Sequence, residues 1–304
     1  MNQEYPTSFN DLFSIDYPCS EADKYVGQGN PASKILIIAK ECAGEMTDSN
    51  NLLTIPYIRG IKENFKDWKE KRYTDIEDWF DAGWDWSKYH PREPFKGQLL
   101  LKNNRKPNIK DNNKGTSPTW CAYQKFINEL LPAELKVKRG KPLNFYNYCF
   151  ISELSSYPKP NSSKVTKETL DSINDRINNP SGILRQRFFK EFPVIILSCY
   201  KYIDRYHIPI MEYFNNPELN LKYEYKGIIV SKEGYRGDLP LYQEQFSKYP
   251  LAKGEFINVH ESMDSNGQKH LLLHTSHFQM KTDTFIKAVA DLARPFICLP
   301  MNGQ

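Results

Sequence analysis

KILIIAKECAG, residues 34–44, is the stretch of sequence that decides the fold. Residues 35–39 are all apolar, without the polar alternation of a half-exposed strand. Such a continuous apolar run is typical of a strand that is covered on both faces, as in a parallel sheet. The turn-rich residues 26–31 precede the run, and a polar loop follows it. We therefore predict a buried strand whose carboxyl end opens onto the loop that begins at Lys40.

Further strands are predicted from the same apolar character. These strands are residues 145–151 (FYNYCFI), 194–198 (VIILS), 227–230 (GIIV) and 270–274 (HLLLH). Apolar residues at helical spacing lie between the strands, at residues 118–131, 164–177, 182–192 and 282–293. The alternation of strands with helices predicts the α/β class, as a three-layer α/β/α sandwich around a mostly parallel sheet of about four or five strands.

The chain of 304 residues is predicted to form one domain with two insertions. The first insertion covers about residues 45–115 and contains four of the five tryptophans. The second covers about residues 201–265, which are rich in Tyr, Pro and Lys and are predicted to be irregular. The strand and helix patterns outside these insertions are expected to form the sheet and its covering layers.

Composition indicates the class of protein but does not identify its binding partner. The net charge is only +4, but residues 102–141 hold ten basic and three acidic side chains, which either attract phosphates or form a solvated loop. The six cysteines are scattered without a CxxC pair, so we expect reduced thiols and predict no metal and no cofactor. No signal-peptide pattern and no long apolar run are present, which favours a cytoplasmic protein that does not enter a membrane.

Polar side chains follow each predicted strand. In a parallel α/β sheet, ligands bind outside the carboxyl ends of the strands. The segments at these ends are KECAGE at 40–45, SELSSYP at 152–158, CY at 199–200 and HTSH at 274–277. Carboxylates, hydroxyls and imidazoles therefore converge on one edge, where they could support acid–base chemistry on a polar ligand.

Taken together and in this order, four segments resemble the motifs of the uracil-DNA glycosylase superfamily. Residues 35–45 are similar to its first motif, in the branch where that motif reads Gly-Glu-Ala-Pro-Gly, and residues 271–277 are similar to its last motif, His-Pro-Ser. Residues 148–153 end where the family has a base-reading Asn. Residues 116–120 resemble a Pro-Phe step whose ring stacks on the base. The resemblance implies the uracil-DNA glycosylase-like fold.

The sequence departs from these motifs at several positions. Lys40 stands for Gly, Ala43 for Pro, Glu153 for Asn and Thr275 for Pro, and the cysteine set of the iron–sulfur branch is missing. A carboxylate at position 153 would accept hydrogen bonds from an exocyclic amine, whereas uracil presents a carbonyl. The departures therefore point away from simple uracil specificity.

The resemblance implies two catalytic residues, Glu41 and His274. Glu41 would orient or deprotonate water, or stabilise cationic character in the sugar, unless it is a solvated loop acid. Lys40 beside it would then bind substrate or simply pair with Glu41. His274 would donate a hydrogen bond to the carbonyl oxygen of the departing base, unless it is a strand-end histidine with internal partners.

Substrate-binding roles are implied for seven residues. They are Lys40, Cys42, Gly44, Trp120, Glu153, Ser276 and His277. Cys42 and Gly44 would form a tight turn whose amides meet the ligand. Trp120 would stack on the base or else be a core residue of its helix. Ser276 would bind a phosphate or cap the closing helix, and His277 would contact a phosphate or the base or else be a loop imidazole without a role.

The resemblance thus implies a DNA-base N-glycosylase that hydrolyses the glycosidic bond of an extruded uracil-like or deaminated base. Its partner would be DNA or a nucleotide-like ligand. One alternative is a non-catalytic nucleic-acid or nucleotide binding module on the same fold, which predicts salt-dependent DNA affinity without base release. Another is a hydrolase or transferase acting on a small nucleoside-like ligand, which predicts turnover of free nucleosides.

Overall fold

A computed structural model gives the conformation of most of the chain. It describes residues 5–40, 46–47, 52–53, 58–71, 78–83, 91–93, 96–101, 114–157, 166–231, 249–279 and 281–297. Much of the predicted insertion at 45–115 therefore lies outside the described residues, as do Glu41, Cys42 and Gly44.

Strands in the described residues form two sheets. They are β1 (Gln28–Gly29), β2 (Ile35–Ala39), β3 (Met46–Thr47), β4 (Leu52–Leu53), β5 (Phe150–Glu153), β6 (Val194–Ser198), β7 (Glu224–Val230), β8 (Phe256–Met263) and β9 (Lys269–Thr275). β3 pairs with β4 in a small antiparallel sheet. The other seven strands form one sheet in the order β1-β5-β2-β6-β9-β8-β7.

The seven-stranded sheet is mixed. β2 pairs in parallel with both β5 and β6, and β6 pairs in parallel with β9. The pairings of β1 with β5, of β8 with β9 and of β7 with β8 are antiparallel. The protein therefore has the predicted α/β class. Its sheet is larger and more mixed than the mostly parallel sheet of about four or five strands that the alternation of elements predicts.

The strand predicted at 145–151 is wrong at its start. Residues Phe145–Asn147 form a 3₁₀ turn, and β5 begins only at Phe150. The side-chain oxygen Oε1 of Gln124 accepts hydrogen bonds from the backbone N–H groups of Asn144 (2.8 Å) and Phe145 (3.0 Å). These contacts satisfy the backbone locally, so this segment does not extend the sheet.

The strand predicted at 227–230 is confirmed as part of β7, but the prediction that residues 201–265 are otherwise irregular is wrong at β8. In β8 the buried Ile257 and Val259 flank the half-buried Asn258. Such alternation is typical of an antiparallel strand with one solvated face. β8 therefore lacks the continuous apolar run by which the parallel strands are recognised.

Helices connect and cover the strands. They are α1 (Thr7–Asp11), α2 (Asn64–Lys69), α3 (Pro118–Leu130), α4 (Lys167–Ile173), α5 (Tyr202–Arg205), α6 (Ile210–Phe214) and α7 (Asp283–Ala293). Ser117 caps α3 by accepting the N–H of Trp120 at 3.3 Å, and Thr282 caps α7 by accepting that of Phe285 at 3.1 Å. No helix of the described residues is long and apolar enough to cross a membrane.

Two predicted helices differ from the observed ones. The helix predicted at 164–177 begins at the cap residue Thr166 and passes from α4 into a π-helical turn at Asn174–Asn178. The helix predicted at 182–192 consists of two short 3₁₀ turns, Ile183–Arg185 and Arg187–Lys190. They are separated by Gln186, whose ψ of 154° is extended and ends the first turn.

The hydrophobic core lies on both faces of the large sheet. Ile35 and Ile37 of β2 pack in one cluster with residues of α3 and α7. Leu36 and Ile38 of the same strand pack in a second cluster with residues of α1 and the turn at Arg187–Lys190. Since neighbouring residues of a strand point to opposite faces, two-sided burial requires every position of β2 to be apolar. Polar residues and core residues both follow the parallel strands at their carboxyl ends, where Leu154 and Cys199 still pack in the second cluster.

Candidate functional site

Backbone hydrogen bonds join the loops that follow the parallel strands. The N–H of Ser155, after β5, donates to the carbonyl oxygen of Lys40, after β2, at 2.8 Å. The N–H of Tyr200, after β6, donates to the carbonyl oxygen of Thr275, at the end of β9, at 3.1 Å. We call this polar rim the carboxyl edge. The side chains on it include Lys40, Glu153, Tyr200 and His277.

His274 lies inside this edge and has both ring nitrogens engaged. Its Nε2 is 2.7 Å from the carbonyl oxygen of Tyr200, and its Nδ1 is 3.2 Å from the Nδ2 of Asn258. A carbonyl only accepts, so Nε2 carries the proton and Nδ1 accepts from the Asn258 amide. Its side chain is only 2% exposed, and burial lowers its pKa. The implied role in donating to a departing base requires a free N–H, and in this conformation His274 has none.

Tyr200, the partner of His274, has an uncommon backbone conformation. Its φ is 51°, in the left-handed region that costs a residue other than glycine about 1–2 kcal/mol. Both of its backbone polar groups are bound to β9, the N–H to Thr275 and the carbonyl to His274. Strained residues persist where the surrounding structure holds them from several sides, and they cluster at functional sites.

Two lysine ammonium groups lie over the ring of Tyr200. The Nζ of Lys40 lies 5.4 Å from the centre of this ring, and that of Lys201 lies 5.6 Å from it. Lys40 is also 5.3 Å from the ring of the buried Tyr202. Phe256 packs against the Tyr200 ring with a centroid distance of 6.0 Å. Cation–π attraction to the rings therefore holds Lys40 and Lys201 at the edge.

His277 contrasts with His274. It is half-buried, and its Nδ1 accepts the N–H of Gln279 at 3.2 Å, so the neutral ring carries its proton on Nε2. Burial, and next the charges of Lys40 and Lys281, lower the pKa of His277 to about 4. The ring is therefore neutral at pH 7. Its Nε2–H has no hydrogen-bond acceptor among the described residues and is a free donor at the edge.

Ser276 is buried and uses its hydroxyl internally. Its Oγ accepts the N–H of Phe256 at 3.1 Å and donates to the carbonyl oxygen of Gly254 at 3.2 Å. It neither caps the closing helix, whose cap is Thr282, nor presents its hydroxyl to a ligand in this conformation. Its position instead fixes the turn that follows β9.

The other predicted substrate contacts lie towards the β5 side of the edge. Trp120 is half-buried, and its ring packs edge-on against Phe145 at 5.7 Å. Glu153 is half-buried at the end of β5. Burial, and next the charge of Glu153, raise the pKa of the fully buried Tyr123 phenol, so this hydroxyl lies in the field of the Glu153 carboxylate. Tyr123 is a buried core residue of α3.

A buried arginine binds the backbone of Glu153. Arg176 is 0% exposed, and its Nε and Nη2 donate to the carbonyl oxygen of Glu153 at 3.2 and 2.8 Å. Its Nη1 donates to the carbonyl oxygen of Asp23 at 2.7 Å, and its Nη2 lies 3.3 Å from the hydroxyl of Ser152. Arg176 therefore fixes the backbone from which the Glu153 carboxylate extends.

Other features lie away from this edge. Two cavities of about 210 Å³ each lie where the parallel strands begin, at the opposite edge of the sheet. Among the described residues, no group of three or more His, Cys, Asp or Glu side chains could hold a metal ion. The predicted residues Glu41, Cys42 and Gly44 lie outside the described residues, so of this loop the structure describes Lys40 alone.

Sequence reasoning gave no role to several residues of the edge. Tyr200 and Lys201 directly follow β6, so the strand-end rule points to them, but their residue types alone carry no motif. Lys281 and Arg176 have no comparable signal, because only folding brings them to the edge.

Comparison with protein-family models, with curated proteins and with solved structures finds no match for the chain.

Proposed function

We propose that the carboxyl edge binds one nucleotide unit of DNA and hydrolyses its N-glycosidic bond, releasing a uracil-like or deaminated base. The proposal includes the finer fold, a three-layer uracil-DNA glycosylase-like sandwich. One observation carries it. Lys40, Tyr200 and His277 follow three different strands, and the Lys40 ammonium lies 5.4 Å from the Tyr200 ring and close enough to His277 to lower its pKa. A cation, an aromatic ring and a neutral imidazole suit the phosphate, base and leaving group of a nucleotide.

In this proposal His277, and not His274, stabilises the leaving base. As the glycosidic bond breaks, negative charge develops on the departing base, and a fixed N–H donor stabilises it. His277 is neutral at pH 7 and has its Nε2–H free among the described residues, whereas both nitrogens of His274 are engaged. Donation from a neutral imidazole needs no protonation at physiological pH.

Carboxylates supply the remaining roles. Glu41 directly follows Lys40 in sequence and would orient or deprotonate the attacking water. Glu153 would accept a hydrogen bond from an exocyclic amine of the base. Its backbone is held by the fully buried Arg176, which supports a fixed orientation for base reading.

Base release tests the proposal. Oligonucleotides carrying uracil, hypoxanthine, xanthine or a thymine mismatch would be incubated with the protein, and the abasic sites counted. We expect release from at least one of them, with Glu41→Gln and His277→Gln each lowering the rate by about 100-fold or more. His207→Asn is the matched control, because His207 is exposed and Asn tolerates its φ of 51°. Unchanged release in both Glu41→Gln and His277→Gln overturns the assignment.

A second candidate function is a non-catalytic nucleic-acid or nucleotide binding module at the same edge. The observation that favours it is the engagement of His274, the histidine to which the family resemblance gives a catalytic role. This candidate predicts that the oligonucleotides bind with salt-dependent affinity and that no abasic site forms from any base. Base release above that of a buffer control excludes it.

A further inference from the structure

We infer that Lys40, Lys201 and Lys281 form a phosphate subsite at the carboxyl edge, beside the His277 imidazole. The ligand class is therefore a phosphate-bearing nucleotide, free or within a nucleic-acid strand, and not a free nucleoside. The inference rests on the proposed location of the site, and it specifies which ligands enter there.

The first support is the clustering of positive charge. Lys40 and Lys201 lie 5.4 and 5.6 Å from the centre of the same tyrosine ring. Lys40 and Lys281 are both close enough to His277 to act on its charged form. The two cation–π contacts bring lysines from two loops to one tyrosine ring, and the charge of a third lysine, from the loop after β9, acts on the neighbouring imidazole.

The second support is the lack of carboxylate partners for these lysines among the described residues. Within the part of the chain that the structure describes, Lys40, Lys201 and Lys281 make no ion pair with a carboxylate. Among the described residues, the charge of Asp204 acts on His274, and Glu153 lies on the same edge at the end of β5. Like charges held together are unfavourable, so an anion that binds between them relieves repulsion that the free protein carries.

The third support is the way in which the cluster is held. The ring that carries Lys40 and Lys201 belongs to Tyr200, whose left-handed backbone is fixed by two hydrogen bonds to β9. A fixed ring places the two ammonium groups before any ligand arrives, which reduces the ordering entropy that binding costs.

Equilibrium binding tests the subsite independently of catalysis. The probes are a single-stranded oligonucleotide with one deoxyuridine, deoxyuridine monophosphate, deoxyuridine and inorganic phosphate. The test variant is Lys40→Gln/Lys201→Gln/Lys281→Gln. The control variant is Lys222→Gln/Lys269→Gln/Lys287→Gln, which removes the same charge from exposed lysines outside the edge. Thermal unfolding of both variants verifies that they fold.

We expect the oligonucleotide and the monophosphate to bind and deoxyuridine to bind at least about tenfold more weakly. The test variant should weaken oligonucleotide binding about tenfold or more. It should also reduce the slope of log affinity against log salt by about 2, because each phosphate that a lysine neutralises on a single strand adds about 0.7 to that slope. The control variant should keep the wild-type slope. Inorganic phosphate that competes with the monophosphate would show that the phosphate alone is recognised, and binding of the oligonucleotide without the monophosphate would place the ligand in a strand.

Three results overturn the subsite: equal effects of the test and control variants, deoxyuridine binding as tightly as its monophosphate, or no binding of any phosphate-bearing probe. Failure of the proposed function differs from these. Lysine-dependent binding without base release removes the catalytic proposal and keeps the subsite. Base release that is unchanged in the test variant removes the subsite and keeps the catalytic proposal.

Discussion

The Nε2 of His274 lies 2.7 Å from the carbonyl oxygen of Tyr200 and fixes the tyrosine that carries the lysines of the carboxyl edge. Asn258 donates to the other nitrogen of the ring and so sets which nitrogen holds the proton. His274 is therefore a positioning residue in this structure. It acts on the site through Tyr200 and does not present an N–H of its own.

Replacement of His274 tests this relationship. His274→Phe removes the donor to the part-buried carbonyl of Tyr200, so the free energy of unfolding should fall by about 1–3 kcal/mol. His274→Gln keeps an amide donor and should recover part of this loss. Chemical denaturation measures both. Equal stability of the Phe and Gln variants would show that the bond to Tyr200 contributes nothing.

Position 200 should prefer glycine to alanine. Tyr200→Gly and Tyr200→Ala both remove the ring that packs against Phe256, but only alanine carries a Cβ in the left-handed region. We expect the Gly variant to be more stable than the Ala variant by about 1–2 kcal/mol in denaturant unfolding. Equal stabilities, or a more stable Ala variant, would contradict the left-handed conformation of Tyr200.

The pKa of His277 should respond to Lys40. Burial and the neighbouring lysine charges hold this pKa at about 4, so removing one charge in Lys40→Gln should raise it towards 6.5. A proton NMR titration of the imidazole measures the change. Lys287→Gln, on the exposed face of α7, is the control and should leave the pKa unchanged. An unchanged His277 pKa in Lys40→Gln would show that the two side chains are not neighbours.

Acid should destabilise the protein through His260. Burial lowers the pKa of His260 to about 4, against 6.5 for the ordinary group. As the pH falls from 6.5 to about 4, the unfolded chain takes up a proton that the folded chain does not, so the free energy of unfolding falls, by at most about 3 kcal/mol.

The matched variants for this titration are His260→Gln and His207→Asn. His260→Gln should reduce the loss of stability between pH 6.5 and 4, since it removes one of the buried histidines whose pKa folding lowers. His207→Asn replaces an exposed histidine and should follow the wild-type curve. Identical pH dependence in His260→Gln and in the wild type would exclude His260 as a source of acid sensitivity.

Local sequence patterns predicted the parts of the fold that depend on nearby residues alone, such as continuous apolar strands and helix caps. β2, β6 and β9 are continuous apolar runs, and the sheet buries them on both faces. The caps Ser117 and Thr282 start α3 and α7 where the serine and threonine stand in the sequence. β8 was missed because its apolar and polar residues alternate, and the start of β5 was misplaced because a distant side chain, Gln124, binds its backbone.

The sequence by itself determined that polar residues follow the parallel strands and that two histidines stand near the end of β9. Only the tertiary structure decided which of them is free. His274 is engaged because folding brings Tyr200, 74 residues away, and Asn258, 16 residues away, within hydrogen-bond distance of its ring. His277, three residues further on, has an N–H without an acceptor among the described residues, and the charge of Lys40 acts on its ring. Hydrogen bonding is short-ranged, so a histidine's availability depends on partners that no local pattern contains.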